Sequence, residues 1–318
     1  MVSTNIAFVF PGQGSQSIGM GKDLAQTYPI ASQIFKQADD CLGFSISNVA
    51  WEGPEEILNS TINTQPALLT HSVAALTILR EQFPELSATL VAGHSMGEIS
   101  ALIAANALSF SDGVKLARKR GELMERSGLQ SPGGMAAVLG LDLPTLENVC
   151  KQASTSDEIV QVANDNCPGQ VVISGADQAL ERAILLAKQS GAKRSIRLPV
   201  SIASHSPLMA HAQSDFNLEV ENTNFASPTI PIIGNISALP LITVDAIRSD
   251  IRNQLTQRVR WTESIQYMIS HGITTFIEIG SGSVLIGLIK RIDRQVTCFS
   301  LGNPQDFDRF AESIGMLS

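Results

Sequence analysis

The sequence predicts an α/β protein with a large parallel-sheet domain and a smaller inserted domain. Short apolar runs without polar alternation are separated by helical patterns, which is typical of parallel strands buried on both faces. Midway along the chain the order changes to strand, helix, strand, strand, helix, strand, which is the ferredoxin-like arrangement. A chain of 318 residues is long enough for one large core and a smaller appended domain.

The large domain is predicted to begin with a buried strand at residues 5–10, followed by a loop rich in Gly, Ser and Gln that ends at Gly21. Proline is favoured at the first helical position, so Pro66 is expected to open a helix. The remaining large-domain elements are helices at 22–40, 66–82, 97–105, 111–127, 244–256 and 261–271, and strands at 89–93, 230–233 and 274–279.

The inserted ferredoxin-like domain is predicted at 131–198, between the turn sequence Ser131-Pro132-Gly133-Gly134 and Pro199. Residues 1–130 and 199–318 are then assigned to the large domain. The elements of the small domain are strands at 135–139, 159–163, 171–174 and 194–198, and helices at 144–153 and 177–189.

Composition excludes several classes of protein. Hydrophobic residues make up 44% of the chain and charged residues 16%, which excludes a disordered protein. The net charge of −8 argues against broad binding to nucleic acid or anionic membranes. The first residues lack the basic start of a secretory signal and no apolar run approaches the roughly 20 residues of a membrane span, so a cytoplasmic protein is expected. The four cysteines form no C-x-x-C pair, which argues against disulfides and structural zinc.

A candidate nucleophile lies in Gly93-His94-Ser95-Met96-Gly97, which fits G-x-S-x-G. The motif follows a buried strand and opens a helix, as the nucleophile elbow of an α/β-hydrolase-like domain does. The helix N-terminus directs free amides and a positive dipole end toward the serine hydroxyl. The main-chain amide of Met96 is therefore a candidate oxyanion donor.

Ser95 needs a general base, because a serine at its free pKa is a poor nucleophile. The chain has five histidines: His71, His94, His205, His211 and His271. His205 lies in a polar loop after a strand, where catalytic groups are favoured. The other four lie in helices, at a helix end or beside the nucleophile in its own turn, so context ranks His205 first without excluding them.

A second Gly-rich loop, Pro11-Gly12-Gln13-Gly14-Ser15-Gln16, follows the first strand. A phosphate cradle is one interpretation, but no Gly-Lys-Ser/Thr follows, and Ser17 occupies the position where G-x-G-x-x-G needs its third glycine. We favour a loop whose backbone amides approach a developing oxyanion beside the elbow.

Four motifs together resemble the malonyl-CoA:acyl carrier protein transacylase family, to which the freestanding polyketide acyltransferases are closely related. They are Pro11-Gly12-Gln13-Gly14-Ser15-Gln16, Gln65-Pro66-Ala67, Gly93-His94-Ser95-Met96-Gly97-Glu98 and Ser204-His205. The motifs occur in order at the expected separations, and the resemblance covers nearly the whole chain. Met96 takes a place that leucine often holds in the family.

The resemblance implies roles for individual residues. Ser95 becomes the acylated nucleophile, His205 the general base and then the general acid, and the amides of Gln13 and Met96 the oxyanion hole. The family orients its histidine with a main-chain carbonyl, which maps to Gln254.

The resemblance also places a malonyl-binding arginine at Arg120 and a pocket residue at Gln65. A guanidinium can hold a carboxylate through two parallel hydrogen bonds, so Arg120 favours a dicarboxylic acyl group. The segment 202–205, Ile-Ala-Ser-His, matches neither common polyketide selectivity signature fully, so malonyl over methylmalonyl is a preference.

The implied reaction is a ping-pong transfer from malonyl-CoA to the phosphopantetheine thiol of acyl carrier protein, with no metal or redox cofactor. The carrier would be a transient acidic partner of a monomeric enzyme. Candidate basic docking residues are Lys193, Arg194, Arg197, Lys290 and Arg291. Two alternatives remain: an acyl-carrier editing hydrolase of the same fold, and a non-catalytic chaperone or docking subunit. The sequence does not distinguish a fatty-acid from a polyketide pathway.

Overall fold

The computed structural model describes residues 5–315, and within them it has two β-sheets surrounded by helices. The strands are β1 (Ile6–Phe10), β2 (Leu90–Gly93), β3 (Gly133–Leu139), β4 (Val160–Cys167), β5 (Gln170–Ala176), β6 (Arg194–Arg197), β7 (Ile232–Ile233), β8 (Pro240–Leu241), β9 (Thr275–Ile279) and β10 (Thr297–Leu301).

The helices complete the description, together with a 3₁₀ turn at Pro207–Met209. They are α1 (Lys22–Thr27), α2 (Pro29–Leu42), α3 (Ile46–Glu52), α4 (Glu55–Asn59), α5 (Thr61–Gln82), α6 (Gly97–Ala104), α7 (Phe110–Gln130), α8 (Leu143–Ala153), α9 (Asp177–Gln189), α10 (Ala210–Asn222), α11 (Val244–Asn253), α12 (Trp261–Ser270), α13 (Val284–Ile292) and α14 (Pro304–Gly315).

The large sheet has the strand order β10-β9-β1-β2-β7-β8. Every neighbouring pair from β10 to β7 is parallel, as predicted, but β7 and β8 pair antiparallel, so the sheet is mixed. The expectation of a wholly parallel sheet was therefore wrong at this edge. Only six residues connect Ile233 to Pro240. A connection this short allows a hairpin and is too short for the crossover that a parallel pair needs.

Both faces of the large sheet are covered, as the apolar runs predicted. Alternate side chains of β1 enter different cores: Phe8 and Phe10 pack with α5 and α7, whereas Ala7 and Val9 pack with α12 and α13. The helix α5 is buried around most of its circumference. Its buried residues include Thr64, Gln65 and His71 as well as apolar side chains, and α5 is central to the large domain.

The helix α5 begins earlier than predicted. The sequence placed Pro66 at its first position, but the helix starts at Thr61 and contains Pro66 in its interior. Proline has no N–H to donate to the carbonyl four residues before it, which is that of Ile62. Arg118 of α7 donates to that carbonyl instead, at 3.5 Å. This long side-chain contact partly replaces the missing helical bond.

The small sheet has the order β4-β5-β3-β6, and all its pairs are antiparallel. Its elements fall within the predicted 131–198, in the predicted order. The helices α8 and α9 cover one face with a core of their own. The strand β4 lies against the large domain, where Asn164 forms a parallel bridge with Val259.

No helix in residues 5–315 is long and apolar enough to cross a membrane.

Candidate active site

Ser95 occupies the sharp turn between β2 and α6, at the carboxyl edge of the large sheet. Its φ of 52° is the left-handed conformation that non-glycine residues rarely adopt. The side chain of Asn235 holds this turn: its Oδ1 accepts from the Ser95 amide at 2.8 Å and its Nδ2 donates to the Gly93 carbonyl at 2.8 Å. The turn is thus fixed by an asparagine just after β7, the neighbouring strand.

The glycines of the motif are required by close backbone contacts. A Cβ on Gly93 would lie 1.9 Å from the carbonyl of Gly97, and one on Gly97 would lie 2.2 Å from the carbonyl oxygen of Phe10. In the other loop, a Cβ on Gly12 would lie 2.4 Å from the carbonyl oxygen of His94. The two Gly-rich loops therefore meet main chain to main chain beside Ser95.

His205 is hydrogen bonded to Ser95, with 2.8 Å between Nε2 and Oγ. Its Nδ1 lies 2.8 Å from the Gln254 carbonyl oxygen and 3.1 Å from that of Gln257. A carbonyl oxygen only accepts, so Nδ1 must carry the proton and Nε2 is the acceptor. Burial, and then the charge of Arg120, lower the pKa of His205 to about 3. The imidazole is therefore neutral at physiological pH and can accept the Ser95 proton.

Arg120 of α7 extends its guanidinium to Ser95 and is only 2% exposed. Nη2 donates to the Ser95 Oγ at 3.2 Å and to the Gln254 Oε1 at 2.7 Å, and Nη1 donates to the Gln65 Oε1 at 2.9 Å. Nε has no partner among the described residues. Burial lowers the pKa of Arg120 to about 10, so the group stays charged at neutral pH. Two neutral amides orient this cation, and no carboxylate touches it in residues 5–315.

A buried carboxyl pair lies beneath these groups. Glu98 accepts hydrogen bonds from the Gln254 Nε2 and, at 3.3 Å, from the main-chain N–H of Asn235. Asp250 accepts from the same amide at 3.2 Å. Burial and the neighbouring Asp250 raise the pKa of Glu98 well above its usual range. The pair thus anchors both Gln254, whose amide orients Arg120, and Asn235, which holds the Ser95 turn.

The two predicted oxyanion donors lie on the loops that meet at Ser95. Met96 is buried directly before α6, whereas Gln13 is exposed and its side chain donates to the Thr61 Oγ1 at 3.2 Å. Neither main-chain amide donates a hydrogen bond within residues 5–315. Both amides are therefore available to an oxygen atom that develops charge beside Ser95.

The remaining predicted residues have other partners or are exposed. Among the histidines, His94 bonds Asn166, His71 bonds the Gly302 carbonyl, His271 stacks on Tyr267, and His211 is exposed on α10. Among the basic residues, Arg197 pairs with Asp177 and Glu181, Lys290 donates to the Val296 carbonyl, Arg291 donates to Gln170 at 2.5 Å, and Lys193 and Arg194 are exposed. The described residues contain no group of three or more His, Cys, Asp or Glu arranged to hold a metal ion.

Comparison with known proteins identifies the family. The profile of the acyl transferase domain family matches residues 7–305. The chain belongs to the acyl transferase family. It is 44% identical to the malonyl CoA-acyl carrier protein transacylase of Haemophilus influenzae, over 96% of this chain and 98% of the relative. The predicted resemblance to these transacylases is confirmed.

Solved structures agree with this family assignment. The acyl carrier protein S-malonyltransferase of Vibrio cholerae is 38% identical and superposes with a TM-score of 0.92, covering 96% of this chain and 99% of the other. A malonyl-transacylase in complex with a type II polyketide acyl carrier protein is 38% identical, with a TM-score of 0.94 and coverage of 97% and 99%. The α/β architecture with its mixed sheet is therefore that of solved members of the family.

Sequence reasoning missed several residues of this acyl transferase site. Asn235 had a usable signal, because polar residues just after the carboxyl end of a parallel strand reach the ligand edge of a sheet. Glu98 stood inside the serine motif without a predicted role. Asp250 and Gln257 lie in a helix and a loop whose patterns carry no comparable signal, and only the fold brings them to the site.

Proposed function

We propose that this chain is a malonyl-CoA:acyl carrier protein S-malonyltransferase. One observation carries the proposal: a buried, unneutralised guanidinium reaches within 3.2 Å of the hydroxyl that is hydrogen bonded to His205. A serine and its base account for acyl transfer, and the cation beside them accounts for an acyl group that ends in a carboxylate. The names of the relatives agree with that acyl group.

The first half-reaction loads Ser95. As the Ser95 Oγ attacks the thioester carbon, its proton passes to the Nε2 of His205. The resulting oxyanion is held by the amides of Gln13 and Met96 and by the N-terminal end of α6. When the intermediate collapses, the C–S bond breaks and His205 returns the proton to the departing CoA thiolate. In the second half-reaction the phosphopantetheine thiol of the carrier repeats these steps in reverse.

The carbonyl of Gln254 suits this thioester chemistry. It fixes the tautomer and direction of His205 without adding a negative charge, so it stabilises the imidazolium less than a carboxylate would. A thiol with a pKa near 8.5 is a good leaving group and needs little help from a strong acid. A weakly basic histidine that holds the proton only briefly is therefore adequate.

Arg120 is the carboxylate ligand. Its unpartnered Nε and its Nη2 lie on one edge of the guanidinium, and that edge matches the two oxygens of a carboxylate. Once Ser95 is esterified, its oxygen no longer competes strongly for Nη2. Gln65 and Gln254 keep the guanidinium plane in place while leaving its charge to the substrate.

We also infer two features of the fold. The turn at Ser95 is the nucleophile elbow of an α/β-hydrolase-like domain, since it joins a strand to a helix through a left-handed serine. Residues 131–198 form a ferredoxin-like domain inserted between the segments 1–130 and 199–318, in agreement with the order β4-β5-β3-β6.

The carrier protein docks on exposed basic residues. Within the described residues, Arg197 is paired with two carboxylates, whereas Lys290 and Arg291 bond neutral oxygens of Val296 and Gln170 and keep their charge. Lys193, Arg194, Lys290 and Arg291 are therefore the stronger candidates. Reversing the charge at Arg291 should raise KM for the carrier and leave KM for malonyl-CoA unchanged. An unchanged carrier KM would exclude Arg291 from the docking surface.

A monomeric state, a cytoplasmic location and the absence of a metal or redox cofactor stay predictions from the sequence.

Intact-mass analysis tests the function directly. After incubation with malonyl-CoA, the chain should gain one malonyl group at Ser95, and Ser95→Ala should gain none. Parallel incubations with methylmalonyl-CoA and acetyl-CoA rank the acyl groups. The malonyl-enzyme should persist until a carrier thiol is added. Rapid release of free malonate without a carrier would instead indicate a hydrolase.

A further inference from the structure

A side chain of the small domain touches the main chain of the catalytic histidine. Gln161 lies on β4 and is half-buried. Its Nε2 donates to the His205 carbonyl at 2.8 Å and to the Thr256 carbonyl at 3.1 Å. One amide thus joins two segments that lie 44 and 95 residues further along the chain.

These two segments are the ones that set the position of the imidazole. His205 has a φ of 58°, a left-handed conformation that costs a non-glycine residue about 1–3 kcal/mol unless its surroundings hold it. Thr256 lies between Gln254 and Gln257, whose carbonyls receive the proton on Nδ1. The Gln161 amide therefore ties the backbone that carries the ring to the loop that orients the ring.

The anchor itself is rigid. Two residues beyond Gln161, the Ala163 carbonyl accepts from the Val259 amide at 2.8 Å, and the Asp165 amide donates to the Val259 carbonyl at 3.0 Å. These main-chain bonds fasten β4 to the end of the same loop. Gln161 extends this attachment by one side chain, as far as His205.

We propose that Gln161 is a positioning residue for the Ser95–His205 pair, through which the small domain sets the geometry of the base. This inference rests on the proposed function of the same site. Residue 161 must supply two donor hydrogens, because its partners, the carbonyl oxygens of His205 and Thr256, only accept. Methionine matches the length of the side chain without donating, and a glutamate carboxylate would face the two carbonyl oxygens with a charge of the wrong sign.

The test compares Gln161→Met, Gln161→Glu and a matched control, Thr262→Val. Thr262 bonds Asp165 of the same strand at 2.8 Å, so its substitution loosens the contact between β4 and the large domain without touching His205. The first readout is the rate of Ser95 inactivation by phenylmethylsulfonyl fluoride, which needs an activated serine and does not need Arg120 or CoA. The second is kcat and KM for malonyl transfer.

We expect Gln161→Met to lower kcat and the inactivation rate each by about tenfold, with KM for malonyl-CoA changed by less than about twofold. Gln161→Glu should lose at least as much, and Thr262→Val should keep both rates. Folded Gln161→Met enzyme with both rates within about twofold of the parent would overturn the proposal, as would an equal loss in Thr262→Val. If the parent fails to accept malonyl but is still inactivated faster than Gln161→Met, the proposed function fails and the positioning role stands.

Discussion

Replacing Arg120 by methionine separates recognition of the acyl group from activation of the serine. The substitution removes the guanidinium but keeps an unbranched side chain in the interior of α7, where Arg120 is 2% exposed. Acetyl-CoA offers the same thioester without the terminal carboxylate. The ratio of acylation rates for malonyl-CoA and acetyl-CoA therefore reports the ion pair alone.

The size of the effect follows from burial. Removing one partner of a buried, hydrogen-bonded ion pair costs about 3–5 kcal/mol, because the other charge is left in the interior without a partner. Since about 1.4 kcal/mol corresponds to a tenfold change, kcat/KM for malonyl-CoA should fall by roughly two to nearly four orders of magnitude. Loss of the Arg120 bonds to Gln65 and Gln254 disturbs the site for both substrates, and this shared part cancels in the ratio.

The assay is the rate of mass gain at Ser95 with each thioester, measured before any carrier is added. Lys119→Met is the matched control, because Lys119 precedes Arg120 on α7 but its side chain is 42% exposed. Within residues 5–315, Lys119 forms only long ion pairs, of 3.9 and 4.0 Å. This control should keep the parent ratio of malonyl to acetyl. If Arg120→Met also kept it, the assignment of the carboxylate ligand would be wrong.

Three further predictions concern the base, the turn and the buried carboxyl pair. With the pKa of His205 lowered to about 3, the rate of Ser95 acylation should fall less than about twofold between pH 8 and pH 5, whereas an imidazole of pKa 6.5 would lose about thirtyfold; rapid-quench measurement of the acyl-enzyme distinguishes them. Gly97→Ala should lower the free energy of unfolding in urea by about 3 kcal/mol and abolish Ser95 labelling, because its Cβ would meet the Phe10 carbonyl, whereas exposed Gly287→Ala in α13 should gain about 0.5–1 kcal/mol. The raised pKa of Glu98 means that, above about pH 4.5, the unfolded chain releases a proton that the folded chain keeps, so the stability of the parent falls with rising pH. The melting temperature of Glu98→Gln should therefore rise relative to that of the parent from pH 5 to pH 9. A constant difference between the two melting temperatures over this range would contradict the prediction.

The features that the sequence predicted well are those that local physics decides. The strands β1 and β2 are continuous apolar runs, of which β1 is followed by Pro11-Gly12 and β2 ends at Gly93. Both faces of the sheet need such apolar residues. The glycines of the serine motif are fixed by contacts of 1.9–2.2 Å that no Cβ can occupy. The order of the six elements from β3 to β6 was also predictable, because these elements follow one another without interruption.

The features that the sequence did not predict depend on packing between distant parts of the chain. The strand β10 is a partly exposed edge strand, and its sequence Thr-Cys-Phe-Ser-Leu has no clear period. The strand β8 has only two residues, too few to carry a pattern, whereas β7 lies within the predicted strand 230–233. The early start of α5 depends on α7, because Arg118 reaches the Ile62 carbonyl that Pro66 leaves without its helical donor. No window of sequence around Pro66 contains that information.

The same division applies to the site. Ser95 and His205 lie in loops with recognisable neighbours, and the sequence ranked both first. Asn235 contacts Ser95 across 140 residues, and Gln161 contacts His205 across 44. Such partners are chosen by the fold, because a polar side chain in a strand or loop has no local property that names the group it will bind.

The orienting groups of this site have one chemical property in common: they are neutral. Main-chain carbonyls, those of Gln254 and Gln257, direct the imidazole of His205, and amide oxygens direct the guanidinium of Arg120. A carboxylate in place of the main-chain carbonyls would raise the pKa of His205 and hold the proton that the leaving thiolate needs. A carboxylate in place of the amide oxygens would neutralise Arg120 before any substrate arrived. The carboxyls that are present, Glu98 and Asp250, act through amides and lie one layer further in. Neutral orientation therefore leaves the base unprotonated and the cation unpaired at the same time, and a transferase for a negatively charged acyl group needs both.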